Sequence, residues 1–469
     1  MKPGSCAASA QLEAMLARRG VCSAPDLAAA LGVSVPTLHR LLAELGDRVI
    51  PAGRARRARY ALRRPLRGDG SPLPLYEVGD QGDVRLVTTL ALRQPQGAWM
   101  DLAGTGLPVP EASRDGWWDG LPYPLADMRP QGFMGRQLAR AEQFALEVPG
   151  DPNEWSDDDV CYALARVGTD VSGSFILGDR ACQRWLGQKA SITIPLRGAA
   201  VGPAYAELAQ RALGSGTAGS SAAGEFPKFA ATRELADSDT QQVLVKFSGA
   251  DDSPAVRRWA DLLVCEHLAL EAAATMAGVE GARSRIVTHA GRTFLEAERF
   301  DRHGLFGRSR IVTLDALNGA FIGAGTSDWV HLARRLAADG LLAADELRRV
   351  ERVWWFGRLI ANTDMHLGNV SFRSRAALSL APVYDMLPML YAPLPGGEVP
   401  ARTFQPPVPL PQQQDAWTSA AEAALQFWRQ AARDARIGEA FRAVCADNAD
   451  SLDRAADRPL TRRSNGQSQ

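Results

Sequence analysis

The sequence predicts a multidomain α+β protein, and three observations carry that expectation. At roughly 150 residues per domain, a chain of 469 residues holds two to four domains with ample core. Charge is segregated: residues 1–70 carry twelve basic and five acidic side chains, although the whole chain balances 53 against 53. Further on, strand-like runs alternate with helical patterns, and a strand ending in lysine leads into a long apolar-periodic helix. A hydrophobic content of 46% and a charged content of 23% exclude a mostly disordered chain. No apolar run approaches the ~18–20 residues that span a bilayer, and the N-terminus has no secretory signal, so a cytoplasmic protein without membrane contact is expected. The six cysteines are scattered without zinc spacing and read as reduced, buried thiols.

The basic N-terminal segment reads as helices joined by a tight turn. Residues 10–19 form the first, with Ser9 as its cap and Gly20 as its stop. Ser23 caps a second that opens with Pro25, Gly32 makes the turn, and Ser34 caps a third over 35–45. Leu27, Leu31, Val33, Leu38 and Leu42 supply the core of a helix-turn-helix. Val49-Ile50 and Tyr60-Ala61-Leu62 read as strands flanking an arginine-rich tip. That combination resembles the winged-helix DNA-binding family. The resemblance implies Thr37, His39 and Arg40 at a major groove and Arg54, Arg56, Arg57 and Arg59 on phosphates. A small protein-binding or dimerisation module with a solvated basic loop is the alternative. The run 65–74, rich in Pro and Gly, marks a linker after it.

From 75 to about 187 the pattern is mixed, with strands over 84–87 and 174–177 and helices over 135–144 and 158–166. Residues 214–224, rich in Gly and Ser, fit either a linker or a functional loop. A strand over 242–247 and a helix over 255–276 follow. Beyond Arg302 the chain reads as mainly helical, apart from a Pro-rich loop from 393 to 411 positioned to dock a substrate or occlude a cleft.

Three separated segments carry chemistry. Asp364 and Asn369 stand five positions apart, the spacing of a kinase catalytic loop, in which Asp accepts the acceptor-hydroxyl proton and Asn holds magnesium. Asp385 follows sixteen residues later, after an apolar run, where a metal-binding Asp would stand. Upstream, Val243-Leu244-Val245-Lys246 ends in one of only four lysines, so a compact ammonium has been kept where arginine is the rule. Glu266, twenty residues on, is its candidate partner, with Glu271 as the competitor. The order Lys, Glu, Asp, Asn, Asp is that of a phosphoryl-transfer site.

With four further matches, the chain resembles the HipA family of serine/threonine kinases, toxins of type II toxin–antitoxin modules. Residues 298–302 match its ERFDR hinge and 363–369 its TDxHxxN loop. Residues 381–385 match its metal-site turn, and 221–228 its SxxGxxxK phosphate loop. The fold class implied is α+β, a HipA-like two-lobed protein-kinase-like fold with an N-terminal winged helix-turn-helix. Its boundaries read as 1–66 (winged helix), 72–205 (α/β subdomain), 206–300 (nucleotide lobe), 301–458 (helical lobe) and 459–469 (disordered tail). ATP and Mg2+ are the cofactors implied. Asp364 becomes the base, and His366 either makes a catalytic-loop hydrogen bond or is structural. Asn369 and Asp385 hold magnesium, Lys246 holds the phosphates, and Glu298 and Phe300 give backbone bonds to adenine. Gly219, Ser221, Gly224 and Lys228 form the phosphate loop, with Ser221 as autophosphorylation site. The partners implied are a protein substrate, DNA, and an antitoxin or a second copy. The rival readings are a DNA-binding regulator whose kinase-like part only senses nucleotide, and a small-molecule kinase. Asp301 and Arg302 read as a structural pair, Trp354 and Trp355 as core, and Phe226-Pro227 as a departure from the usual polar phosphate loop.

Overall fold

The computed structural model describes residues 3–214, 226–375 and 377–457. Gly219, Ser221 and Gly224 of the expected phosphate loop, and the tail after 457, lie outside the described residues. The chain divides into two compact units. One holds the chain up to Thr193 with Asp301–Ala324 and Arg373–Leu378; the other holds Ile194–Phe300, Gly325–Phe372 and the chain from Ser379 onward.

In the first unit, helices Pro3–Arg19, Ala24–Leu31 and Val35–Leu45 pack around Leu12, Leu16, Leu27, Leu38 and Leu45, all nearly inaccessible. Strands Cys22–Ser23, Val49–Ala52 and Arg59–Leu62 form an antiparallel sheet in which the last strand is central. Ser23 accepts from the Asp26 amide, and Ser34 accepts from the Thr37 amide at 3.4 Å, so both expected caps form. Gly32 closes the second helix at φ 66°, a left-handed conformation that glycine adopts without strain. The first helix starts earlier than expected. Ser9 lies inside it and donates to Glu44 at 2.6 Å, because nothing between Pro3 and Arg19 breaks the helix.

A five-stranded antiparallel sheet follows, ordered Trp117–Trp118, Ala98–Trp99, Val84–Leu92, Leu73–Val78 and Phe175–Leu177. The N-terminal segment is tied to it: Arg64 N–H donates to Leu92 O at 2.9 Å, and Arg67 pairs with Asp159 at 2.8 Å. Asp301 and Arg302 do pair, at 2.6 Å, and Asp301 also accepts from the Gly173 amide. The stretch beyond Arg302 is less helical than expected. Short strands occur at Arg302–His303, Gly307–Arg308, Ile311–Thr313, Ser371–Ser374 and Leu378–Leu380. Runs of two to four residues are too short to leave a readable period.

The second unit opens with a four-stranded antiparallel sheet, ordered Ser284–His289, Arg292–Glu298, Gln242–Phe247 and Lys228–Thr232. Val243, Val245, Phe247, Phe229 and Phe294 face helix Val201–Gly214 through Tyr205. Helix Pro254–Ala273 carries a nearly continuous buried run from Asp261 to Leu270, as a helix covered on more than one side must. Helices Trp329–Ala338, Ala344–Leu359, Gln414–Ala431 and Glu439–Ala456 complete the unit, and the indole of Trp428 donates to Leu359 O at 3.0 Å. The Pro-rich loop packs down on this bundle: Phe404 is buried beside Trp428, and Pro407 O accepts from the Trp417 indole.

Beneath the sheet, Glu296 is fully buried and accepts from Tyr205 at 2.5 Å and from Arg233 at 2.7 Å. Glu296→Leu should cost about 3–5 kcal/mol in denaturant unfolding, because it strands the Arg233 guanidinium without its counter-ion. Pairing it with Arg233→Met should recover most of that loss.

Candidate active site

Strand Gln242–Phe247 aims Lys246 inward. Its ammonium donates to both oxygens of Glu266, at 2.6 and 2.7 Å, and to Asp385. The helix supplies Glu266 and not Glu271, which is largely exposed and pairs with His267. Lys246 and Glu266 are almost wholly buried, whereas Asp385 keeps 29% of its side chain open. Burial alone would raise the Asp385 carboxyl, but Lys246 and then Lys228 outweigh it and hold it at about 2. Burial alone would depress the Lys246 ammonium, and the carboxylates of Asp385 and Glu266 reverse that.

Lys228 stands directly across the ladder from Lys246. Two of the chain's four lysines thus share one register position. Like charges directly opposite each other are destabilising unless anions lie between them. Phe226, next to the expected phosphate loop, is buried edge-on against Trp259 at 4.7 Å, with Lys246 Nζ 5.8 Å from its ring centre. The departure at Phe226-Pro227 is therefore an apolar wall beside the lysine.

The catalytic-loop residues follow helix Ala344–Leu359. Gly357 lets the loop lie flat, since a Cβ there would meet Met365 at 2.8 Å. Ala361 takes φ 58° and Asp385 φ 51°, costly conformations for non-glycine residues and ones that cluster at functional sites. Asn362, which carries no signal in the sequence, bridges the two: its Oδ1 accepts from the Asp364 amide at 2.9 Å, and its amide reaches Asp385 O at 3.4 Å. Asn369 donates to Asp364 O at 2.8 Å. His366 Nδ1 accepts from the Gly368 amide at 3.2 Å, which supports the loop backbone. Asp364 itself is exposed, and among the described residues no group hydrogen-bonds its carboxylate. Tyr384 falls inside the metal-site motif without a role of its own there, yet its hydroxyl donates to Gly368 O at 2.6 Å and its ring packs on Phe300 at 5.7 Å. The Glu298 amide is already engaged by Arg283 O at 2.8 Å, and its carboxylate accepts from Ser238.

Among the described residues, no cluster of three or more His, Cys, Asp or Glu side chains suits a metal ion. Asp385 and Asn369 offer a carboxylate and an amide oxygen. Such hard donors fit a magnesium ion whose shell is completed by phosphate and water. Trp355 is core, as expected; Trp354 is not. It lines an open cleft of about 500 Å³ together with Asp364 and Arg358.

Comparison with known proteins gives this arrangement a family. Toxin YjjJ of Escherichia coli (strain K12) is 38% identical over 431 residues, 92% of this chain and 94% of that protein. The chain belongs to the HipA-like toxin family. The family model described as HipA-like C-terminal domain matches residues 220–453, and that of the YjjJ-like toxin middle domain matches 69–186. Among solved structures, the HipA-like chain is similar to a protein of the Shewanella oneidensis MR-1 toxin–antitoxin complex of HipA, HipB and operator DNA. The TM-score is 0.53 at 16% identity, over 83% of this chain and 100% of that one, which shows a kinase-like two-lobed fold. The Helicobacter pylori proinflammatory kinase CtkA, with a TM-score of 0.34 at 11% identity over 49% of this chain and 92% of its own, adds nothing to that assignment. No helix among the described residues of the HipA-like chain is long and apolar enough to cross a membrane.

Lys246→Met should destabilise the protein by about 3 kcal/mol at pH 7, because two carboxylates are left buried without their cation. In the wild type the Asp385 value lies below its unfolded one, so its contribution is present above about pH 4 and fades as pH falls toward 2. In Lys246→Met the Glu266 and Asp385 carboxyls should sit above their unfolded values. Stability is then retained below about pH 4 and lost as pH rises through those raised values. Burial already raises the Glu266 carboxyl in the wild type despite Lys246, so its own contribution there falls as pH rises. Denaturant midpoints from pH 3 to 7 should therefore fall more steeply with rising pH in Lys246→Met than in the wild type.

Proposed function

We propose that the chain is an ATP- and magnesium-dependent serine/threonine protein kinase, toxin-like and cytoplasmic, that transfers a phosphoryl group to a protein substrate and to its own Ser221. The observation that carries this reading is the Lys246–Glu266–Asp385 contact with Lys228 opposite, beside an Asp364 carboxylate free to accept a proton. Lys246, oriented by Glu266, would neutralise the α- and β-phosphates, with Lys228 adding charge from the neighbouring strand. The Glu298 carbonyl and the Phe300 amide would hold adenine, and Tyr384 would fix the Phe300 ring beside it. Gly219, Ser221 and Gly224 would complete the phosphate loop. Magnesium, held by Asp385 and Asn369, would offset charge on the phosphate oxygens. Asp364 would take the proton of the acceptor hydroxyl, and His366 would act as a positioning residue through the loop backbone. A phosphate on Ser221 would add negative charge to the loop that must cradle ATP, and so would switch the enzyme off.

In this scheme residues 1–66 would form a winged-helix DNA-binding domain. His39, Arg40, Arg54 and Arg57 are exposed, Thr37 and Arg59 are half-buried, and the Arg56 side chain lies outside the described ones. The Shewanella protein's complex with HipB and operator DNA supports DNA and an antitoxin as partners. The same exposed arginines favour the second reading, a DNA-binding regulator whose kinase-like part only senses nucleotide.

With labelled ATP and magnesium, Asp364→Ala should lose about 10²–10⁴-fold of wild-type transfer while still binding nucleotide. Mass spectrometry should find Ser221 phosphate in the wild type alone. Equal modification of the two proteins, or none with nucleotide still bound, would move the reading to the regulator. In fluorescence anisotropy against duplex DNA, the combined Arg54→Ala, Arg57→Ala and Arg59→Ala variant should lower the salt slope by roughly 3, about 0.9 for each phosphate that is no longer neutralised. An unchanged slope would remove the wing from the interface.

A further inference from the structure

We propose that the cleft beside Asp364 receives a peptide segment in which an acidic side chain flanks the acceptor serine or threonine, and that Arg358 selects it. The proposal rests on reading Asp364 as the base of a protein kinase, and it adds to that reading the chemistry of the substrate.

Arg358 lies one helical turn beyond Trp354 on Ala344–Leu359. Its guanidinium carbon stands 4.7 Å from the ring centre of Trp354 and 5.0 Å from that of Trp355, and the two rings meet edge to face at 5.0 Å. Packing against the two rings restrains the guanidinium, whose N–H edge is the one that pairs with a carboxylate. Among the described residues no carboxylate lies within salt-bridge distance of Arg358, although this chain pairs most of its buried arginines. Two carboxylates share the cleft. Asp328 is engaged as the cap of helix Trp329–Ala338, accepting from the Val330 and His331 amides at 2.9 and 3.1 Å. Asp364 is the group that must stay free for the hydroxyl. The Asp328 charge acts on Arg358 from beyond salt-bridge distance, so the guanidinium has no carboxylate in direct contact among the described residues, and a bound one would fall within the same cleft as the reacting hydroxyl.

Size and charge favour a peptide over a nucleic acid. A cleft of about 500 Å³ admits one or two side chains. A single arginine between Asp328 and Asp364 suits one carboxylate. A polyanionic backbone would bring further charges that the arginine cannot neutralise against Asp328 and Asp364.

The test uses full-length protein and two fluorescent nine-residue peptides, each with one serine in alanine, flanked by aspartate in one and by lysine in the other. Wild type should bind the aspartate peptide roughly tenfold more tightly, the worth of one charge-assisted hydrogen bond. Arg358→Lys should keep the preference, and Arg358→Glu should reverse it toward the lysine peptide while the melting curve holds. Equal binding of the two peptides, no binding of either up to millimolar concentration, or an unchanged preference in Arg358→Glu would overturn the proposal. So would a single-stranded RNA that outcompetes both peptides and loses its affinity in Arg358→Glu. Binding is read without chemistry, so the two readings fail separately. An Arg358-dependent preference with no labelled product would sink the kinase reading alone. Labelling of both peptides without preference would sink the role of Arg358 alone.

Discussion

Everything in the site is arranged around one buried ammonium. Lys246 draws together a strand, a helix and a loop that are far apart in sequence, since Glu266 and Asp385 lie 20 and 139 positions away. Desolvating three charges is expensive, and the contact persists only because each carboxylate finds the same cation at hydrogen-bond distance. That cost explains the choice of residue. A guanidinium presents a flat fork suited to a single carboxylate plane, whereas an ammonium can donate to two groups from different directions. In a chain that uses arginine for nearly all its positive charge, lysine at 246 has a stereochemical reason.

The surrounding structure holds the loops that this cation joins. Tyr384, one residue before Asp385, fastens its turn to Gly368 in the catalytic loop. Asn362 fastens the start of that loop to the backbone of Asp385. Val383 exchanges hydrogen bonds with Glu280 and Ala282, so the residues leading to Asp385 are held by backbone as well. These ties bear the strain of left-handed Ala361 and Asp385, which an unsupported loop would release.

Much of this was legible in the sequence, for physical reasons that differ by element. Lys246, Glu266, Asp364, Asn369 and Asp385 were readable because charged and amide side chains in that order and spacing have few structural uses. The helix-turn-helix pattern was readable because its caps, Ser23 and Ser34, and its turn residue, Gly32, act locally. What stayed hidden depends on contacts across the fold. Asn362 is a polar residue with no periodic signature, and its partner lies 23 positions away. The short strands beyond Arg302 are set by neighbours and not by propensity. Trp354 departs from its expected core position because adjacent tryptophans look equally apolar in sequence, whereas successive residues on a helix point about 100° apart and only one of them can face the core.

That difference between Trp354 and Trp355 joins the scaffold to the chemistry. Trp355 anchors the helix in the core, Gly357 seats Met365 of the loop against it, and the half-buried Trp354 with Arg358 turns toward the space beside Asp364. One helix thus fixes the position of the candidate base and supplies the wall of the cleft in front of it. A displacement of the helix would move both together, so the distance between acceptor site and base is protected by covalent geometry. The proposed kinase, which would have to exclude water as the acceptor while admitting a side-chain hydroxyl, would gain from that rigidity, because orientation is most of what separates the two nucleophiles. In the proposed kinase, the charge-bearing strand and helix around Lys246 would hold the other reactant by the same logic, with fixed ionic contacts in place of aromatic packing.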